Sequence, residues 1–562
     1  MNVRSPADVV VELRRVPLAE RLLLGQSASA AVAVACAAIA AVAAWLLWSP
    51  GHLYSREMTW DLLFNLEGAW HIEQGHIPHV DFHEPLGMLG FTLTSFGFHV
   101  VGFTPRAFLV GEMVVLVAIL ATAIPVAARR LAPAPAVLFA GYSALLILQP
   151  ANIGDAPNAY SFAMSYNRWG WAALSTLCLL LFVDPRRGRD SQWDEVVTAL
   201  LCVFLFYLKI TFAAAAIGAL IVAMIVMRRM RRHWGSWLVV LVMLSLIAVA
   251  PVNRAYLRDL WIYANSGYAR IDLAYLANIF IANRAEYTLQ GAVLGILFWL
   301  WQAGRVRLEV VVAALAVTGI GLFVLTQNAQ FGDIPLGIII CLMLYNALAI
   351  TRPASLTPGP HASMPSGLRT LLIVVLLWPA LTVFGSAKVF AGYYHAATGS
   401  DVMVAPSTTN LPRLAVPPLD HEVPIDLARM GYSILSSTRP SPLRDPLTQA
   451  EYVESLVEAA SLLAGHPQKI LVVDQVNPMP YVLGYPPPRG GLLWMGPDAP
   501  PRVAGAIFDD VDVVLVPKYS TYAPTTALTL RTYRDYLQTH FPDRTESERW
   551  TILRRAGDAA AR

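Results

Sequence analysis

Charge is scarce in this chain, and so is cysteine. Only 14% of the 562 residues are Asp, Glu, Lys or Arg, against 56% hydrophobic, and the mean hydropathy is +0.52. That balance excludes an ordinary soluble enzyme and points to a polytopic membrane protein. The formal charge of +3 is too small to imply a nucleic-acid partner. Cys36, Cys178, Cys202 and Cys341 all fall inside apolar runs, so no disulfide framework is implied. No internal repeat is visible. The glycines of Gly484–Leu493, GYPPPRGGLL, lack the strand–loop–helix spacing of a phosphate-binding loop. The histidines fit no regular zinc pattern.

What is abundant is long apolar sequence. The first run, about Ser27–Trp48, follows Arg14, Arg15 and Arg21, which suits a retained helix with its N-terminus in the cytoplasm better than a cleaved signal peptide. Arg129–Arg130, Arg186–Arg187–Arg189, Arg228–Arg232, Arg305–Arg307, and Arg352 with Arg369 then orient the later spans by the positive-inside rule. With these inside, eleven crossings result: 27–48, 107–128, 133–150, 169–184, 195–209, 210–227, 236–252, 289–303, 308–325, 335–350 and 370–390. An odd number places the C-terminus outside. Leu86–Phe103 would invert every later loop as a single span, so it reads as re-entrant or interfacial; a paired short crossing would make the total twelve or thirteen.

Polar groups concentrate in few places. Trp60–Leu86, WDLLFNLEGAWHIEQGHIPHVDFHEPL, holds Asp61, Glu67, Glu73, Asp81 and Glu84 together with His71, His76, His79 and His83. Charge so dense beside a bilayer is costly outside water or a polar cleft, so the stretch reads as a site. Lys209 interrupts the apolar Val196–Met227 in FLFYLKITF. A broken helix at membrane depth lines a cavity, and a lysine there takes an anionic partner or snorkels from a helix end. Gln149–Arg168 adds Asp155, Asn158, Tyr166, Asn167 and Arg168; Asn253–Gln290 adds Arg254, Arg258, Arg270 and Arg284; Thr326–Asp333 reads TQNAQFGD. Four outward arginines run against the positive-inside trend and suit either a phosphate ligand or anionic lipid headgroups. Trp60, Trp70, Trp169 and Trp171 are expected in the interfacial aromatic belt, with one available to stack on a sugar.

From about Ala391 a Pro-rich linker (391–445) follows the membrane module (1–390), and 446–562 reads as a small α/β domain outside the membrane. Its expected elements are a helix over Thr448–Leu463, strands at Lys469–Asp474 and Val511–Pro517, a helix over Leu528–Phe541 and a last strand at Trp550–Leu553. A lid or acceptor-docking role suits it better than a second active site.

The order of the outer stretch carries a resemblance. An acid just after the first span is followed by Gly75, Pro78 and then Asp81, His83, Glu84, Pro85, Leu86 and Gly87. This resembles the GT-C superfamily of membrane glycosyltransferases, which take sugars from polyprenyl-phosphate donors. FHEPLG (Phe82–Gly87) is similar to the D-V-H-P-P-L-G of protein O-mannosyltransferases and the F-E-K-P-P-L of lipid A aminoarabinose transferases. YLKITF resembles the L-T-K-G-P stretch of the latter. The resemblance implies a GT-C-like fold, Asp61 as catalytic base, Lys209 as phosphate ligand, and transfer with inversion at the anomeric carbon. Two positions depart from it: Leu62 stands where many members have a second acid, and Glu84 stands in place of the lysine of E-K-P-P.

A carboxylate at a membrane–water boundary can deprotonate an acceptor hydroxyl while cations stabilise the departing phosphate. The candidate substrate-binding set is Lys209, Asp81, His83, Glu84, Asp155, Asn167, Arg168, Arg254 and Arg258, with Asp155 or Asp81 orienting the acceptor or holding an ion. No cofactor is firmly implied; a divalent cation among His76, His79, His83 and Asp81 is the one metal reading. The expected partners are a polyprenyl-phosphate sugar, a glycan, lipid or protein acceptor, and membrane lipids. A transporter or flippase of lipid-linked sugars is the rival from another class, since it would equally use a broken helix and an intramembrane lysine. A plain membrane anchor for an interaction domain would leave Asp61 and Lys209 unexplained.

Overall fold

The computed structural model describes residues 22–23, 28–186, 192–265, 277, 280–281, 283–326, 335–350, 366–418, 447–465, 467–495 and 502–556. Residues 327–333 of the TQNAQFGD stretch, Arg270 and the 419–445 half of the Pro-rich linker lie outside these residues.

Each expected crossing has a helix. In chain order these are Ser29–Trp48, Ala107–Arg130, Pro133–Leu148, Ser165–Phe182, Gln192–Leu208, Ile210–Val226, Trp234–Val249, Arg284–Gln302, Leu308–Thr326, Gly337–Ile350 and Ser366–Ala397. Four described helices are long and apolar enough on their own to cross a membrane: Ser29–Trp48, Ala107–Arg130, Leu308–Thr326 and the Arg369–Ala397 part of the last one. Trp234–Val249 and Pro251–Asn265 together make a fifth if their 55° bend is taken as one broken span. Shorter apolar helices include Pro133–Leu148, Ile210–Val226 and Leu89–Val101, the last of which packs against Ala107–Arg130. It is a 13-residue helix, about 20 Å long at 1.5 Å per residue, too short for a ~30 Å hydrocarbon core.

The Thr59–Glu73 helix is built differently. Thr59 through His71 are all buried, so no face is left for solvent or lipid. It is wedged between Leu89–Val101 on one side and the C-terminal region on the other. Glu67 Oε2 accepts the Tyr481 backbone N–H at 2.9 Å, and Trp70 Nε1–H donates to the Tyr485 carbonyl at 2.8 Å. At the near end, the Thr59 N–H donates to Gln449 Oε1 at 3.0 Å.

The C-terminal sheet runs in the order β4 (Ile470–Val472), β5 (Val513–Pro517), β7 (Trp550–Arg554), β6 (Asp543–Glu546). Only β4 and β5 are parallel. Period-2 alternation divides its side chains. Ile470, Val472, Val513, Leu515 and Ile552 join the main core shared with the helices. Leu471, Val473 and Val514 face a second small core with Ile507, Phe508, Val511, Leu537 and Phe541. The expected helix over Leu528–Phe541 is two helices, Ala523–Thr532 and Arg534–His540, interrupted at Tyr533, and β6 is an added strand. A small second sheet ties the chain across its length, with β1 (Leu53–Tyr54) parallel to β3 (Leu414–Val416), and β2 (Met403–Val404) on the far side of β3.

Candidate active site

Asp61 lies in the first turn of the Thr59–Glu73 helix, where a carboxylate is favoured by the helix dipole. It is 6% exposed, and its Oδ2 accepts the backbone N–H of Met164 at 2.8 Å. Burial pushes its carboxyl up to about 6, opposed by that N–H and by the charges of Lys209 and Arg168. Met58 and Met164, the residues that open the Asp61 helix and the Ser165–Phe182 helix, both have left-handed backbones, with φ of 52° and 48°. His79 is a third, at 65°. Such conformations cost about 1–3 kcal/mol each and persist where surrounding structure enforces them. Three of the four non-glycine examples among the described residues thus border this one site.

Lys209 is the extended residue between Gln192–Leu208 and Ile210–Val226. Its ammonium lies 4.8 Å from the centre of the Tyr166 ring, and its charge acts on both Asp61 and Glu84. The FHEPLG hexapeptide is seated against this helix end. A helix leaves its last carbonyls without intrahelical partners; the Gly87 N–H donates to that of Leu208 at 3.0 Å. A Cβ at Gly87 would come within 2.0 Å of the Tyr207 carbonyl oxygen, so only glycine allows that approach. Three residues earlier, Glu84 is fully buried. Its Oε2 accepts the Leu86 N–H at 2.6 Å and its Oε1 has no hydrogen-bond partner.

A third set of groups comes from the Arg254–Asn265 helix. Asp259, which the sequence did not single out, receives His79 Nδ1 at 3.2 Å and His83 Nδ1 at 2.9 Å, with Arg502 Nη2 at 3.4 Å. Arg258 donates to the His79 carbonyl at 3.5 Å. Asp259 was hidden by its sequence context: one acid among arginines on an amphipathic helix looks like a solvated residue, and only the return of that helix over the 79–83 loop buries it. The backbone of the same loop is gripped from the C-terminal side. Gly490 N–H donates to the Asp81 carbonyl at 2.6 Å, His83 N–H to Gly491 at 3.0 Å, and Leu493 N–H back to His83 at 3.1 Å. Gly490 and Gly491 of GYPPPRGGLL therefore serve close backbone docking; a Cβ on Gly490 would strike the Ala506 carbonyl oxygen at 2.0 Å.

The other candidates divide. Arg168 is fully buried, paired to Glu112 at 3.3 Å, and its charge reaches Asp61 and Asp155. Asn167 is fully buried with neither side-chain amide atom hydrogen-bonded. Burial and the charge of Glu57 raise the Asp155 carboxyl to about 7, against the pull of Arg168, and its Oδ2 has no hydrogen-bond partner. Asp81 is spent locally: it accepts the Ile77 N–H at 2.8 Å and faces Arg489 at 3.7 Å. Arg254 is exposed, and Arg258 is exposed apart from its bond to His79. Among the described residues no three His, Cys, Asp or Glu side chains converge as a metal site; His76 instead pairs Nδ1 to Nδ1 with His71 at 3.0 Å. The tryptophans correct the expectation of an interfacial belt. Trp60, Trp70, Trp169 and Trp171 are all 5% exposed or less, packed inside because their helices are interior ones, while Trp45, Trp48, Trp193, Trp234, Trp261 and Trp299 are exposed.

These features define a multi-pass helical membrane protein with a buried carboxylate–amine site under a C-terminal α/β cover. No protein-family model matches the chain, and no curated protein matches it. Two solved structures are similar to it. One is ArnT from Cupriavidus metallidurans in the apo state, with TM-score 0.44 and 14% identity, over 93% of this chain and 97% of that one. The other is ArnT from the same organism bound to undecaprenyl phosphate, with TM-score 0.45 and 15% identity, over 94% and 98%.

Proposed function

We propose that this protein is an integral membrane glycosyltransferase that moves a sugar from a polyprenyl-phosphate donor to an acceptor hydroxyl. The reaction belongs at the outer face of the cytoplasmic membrane, with the N-terminus inside and the C-terminal region outside. Asp61 takes the acceptor proton; the freed oxygen attacks the anomeric carbon with inversion; the carbon–oxygen bond to phosphate breaks and polyprenyl phosphate leaves. A carboxyl raised to about 6 is still mostly ionised at neutral pH and is a stronger base than an ordinary aspartate. Lys209 and Arg168 supply positive charge beside it, suited to a phosphate leaving group. The observation that carries this reading is the meeting of Asp61, Glu84 and Lys209, which come from three separate stretches of chain.

The test is sugar transfer from a polyprenyl-phosphate donor in reconstituted vesicles. Asp61→Asn should abolish transfer, and Lys209→Ala should weaken polyprenyl-phosphate binding. Transfer surviving in Asp61→Asn would discard the base. The interruption of the helix at Lys209 also favours a second reading, a flippase for lipid-linked sugars. That reading predicts movement of the donor between leaflets that persists in Asp61→Asn.

A further inference from the structure

His79 Nε2 and Glu84 Oε1 are both buried, both lack a hydrogen-bond partner, and lie 3.9 Å apart. Natural structures rarely leave two such atoms facing each other without use. The far side of His79 fixes its state. Asp259 is a carboxylate that also holds His83 and Arg502, so it accepts from His79 Nδ1 and keeps the proton on that nitrogen. With Nδ1 turned to Asp259, Nε2 is the ring atom that faces Glu84. The ring packs 4.6 Å from the Tyr256 ring, and its Nδ1 contact with Asp259 sets its orientation.

At 3.9 Å the two atoms are not hydrogen-bonded, but a shift of less than 1 Å toward each other lets Nε2 accept a proton held on Glu84, which only the acid form of the carboxyl can offer. The groups around Glu84 are His79 from its own loop, Asp259 from the Arg254–Asn265 helix, Tyr256 from the same helix, and Lys209 from the helix break. Burial and Asp259 raise the Glu84 carboxyl well above its ordinary range, while the Leu86 N–H and Lys209 oppose them. We propose that His79, oriented by Asp259, is a positioning residue that keeps Glu84 protonated, so that no second carboxylate charge stands beside Asp61 and Lys209 when an anionic phosphate binds. Glu84 occupies the position where the resembling motif has a lysine. A neutral acid there is compatible with a bound phosphate; an ionised one repels it.

This inference rests on the proposed polyprenyl-phosphate site, and its test separates the two. Affinity for polyprenyl phosphate is measured against pH in detergent for the full chain and for His79→Asn, Glu84→Gln and the double variant. Asn is chosen because it tolerates a left-handed backbone. Wild-type affinity should fall as pH rises through the raised Glu84 value, and His79→Asn should move that fall to lower pH, weakening binding about tenfold at neutral pH, the scale of a nearby like charge. Glu84→Gln should bind more tightly than wild type at alkaline pH. The double variant should recover what His79→Asn loses, which a merely structural defect would not do. A double variant as weak as His79→Asn overturns the positioning role while leaving the site. Wild-type protein that binds no polyprenyl phosphate at any pH overturns the site itself, and this inference with it.

Discussion

Two buried aspartates in this protein have opposite surroundings. Asp474, two residues beyond β4, is 4% exposed and accepts from the Gln475 N–H, the Ser520 hydroxyl, and both the N–H and hydroxyl of Thr521, all within 3.0 Å. Asp61 is nearly as buried, yet Met164 gives it a single backbone N–H, and the rest of its electrostatic support comes from cations. Asp474 is a tie between two loops of the sheet. Asp61 is held in place but left in a state that a proton can change. Burial alone therefore does not mark a functional carboxylate; incomplete hydrogen bonding beside movable charge does.

The contrast can be broken most sharply at the two acids themselves. Asp61→Asn should lower transfer at least 100-fold, the scale of a lost general base, without loss of fold. It should also raise thermal stability. A folded value of about 6 against an ordinary 3.8 means that the ionised form opposes folding: stability is lost as pH rises from about 4 to 6, by up to about 3 kcal/mol. Burial raises the Asp474 carboxyl as well, but its four donors hold it, so Asp474→Asn should lower the melting temperature by leaving donors unpaired at a cost of about 1–3 kcal/mol, with residual transfer in the folded fraction. A melting temperature lowered by both variants would erase the distinction.

Next in size is Gly87→Ala. The added methyl has to displace the FHEPLG loop from the Tyr207 and Leu208 carbonyls, and a shift near 1 Å at a reacting centre can cost about 100-fold. Transfer kinetics on protein of normal melting temperature would check this; unchanged turnover would detach the loop from the chemistry. A pH profile gives a smaller, graded effect. Because Asp61 has to be ionised to act as base, turnover should rise with pH through about 6 and then level, and a profile falling over that range would remove Asp61 from the role. At the small end, Glu546→Gln, on the exposed edge strand β6 beside Lys518, should leave both melting temperature and transfer unchanged.

Much of this was legible before any coordinates. Asp61, Glu84 and Lys209 stood out because polar residues are expensive in apolar sequence and a few short stretches concentrated them, and Gly87 through the resemblance of FHEPLG. Asp259 and Arg502 did not stand out, since each is an ordinary charge in polar sequence until a distant segment covers it. The GYPPPRGGLL stretch was legible only in what it excluded, a phosphate-binding loop; its docking on the backbone of residues 81–83 came from the fold. The tryptophans misled because aromatic residues near span ends suit both a lipid interface and a helix interior, and only the packing of neighbours separates the two.

What the sequence determined by itself was whatever depends on local cost: which segments are apolar enough for helices, where a lysine breaks one, and which loop is too acidic to lie in lipid. Which acid meets which base was decided by tertiary structure alone. The Arg254–Asn265 helix had to fold back over the 79–83 loop, and the strand-like segment at Gly491–Leu493 had to pair with it, before His79 could be turned toward Glu84. Hydrophobic pattern is written along the chain, but hydrogen bonds between residues 180 positions apart exist only once packing has brought them within 3 Å or so of each other.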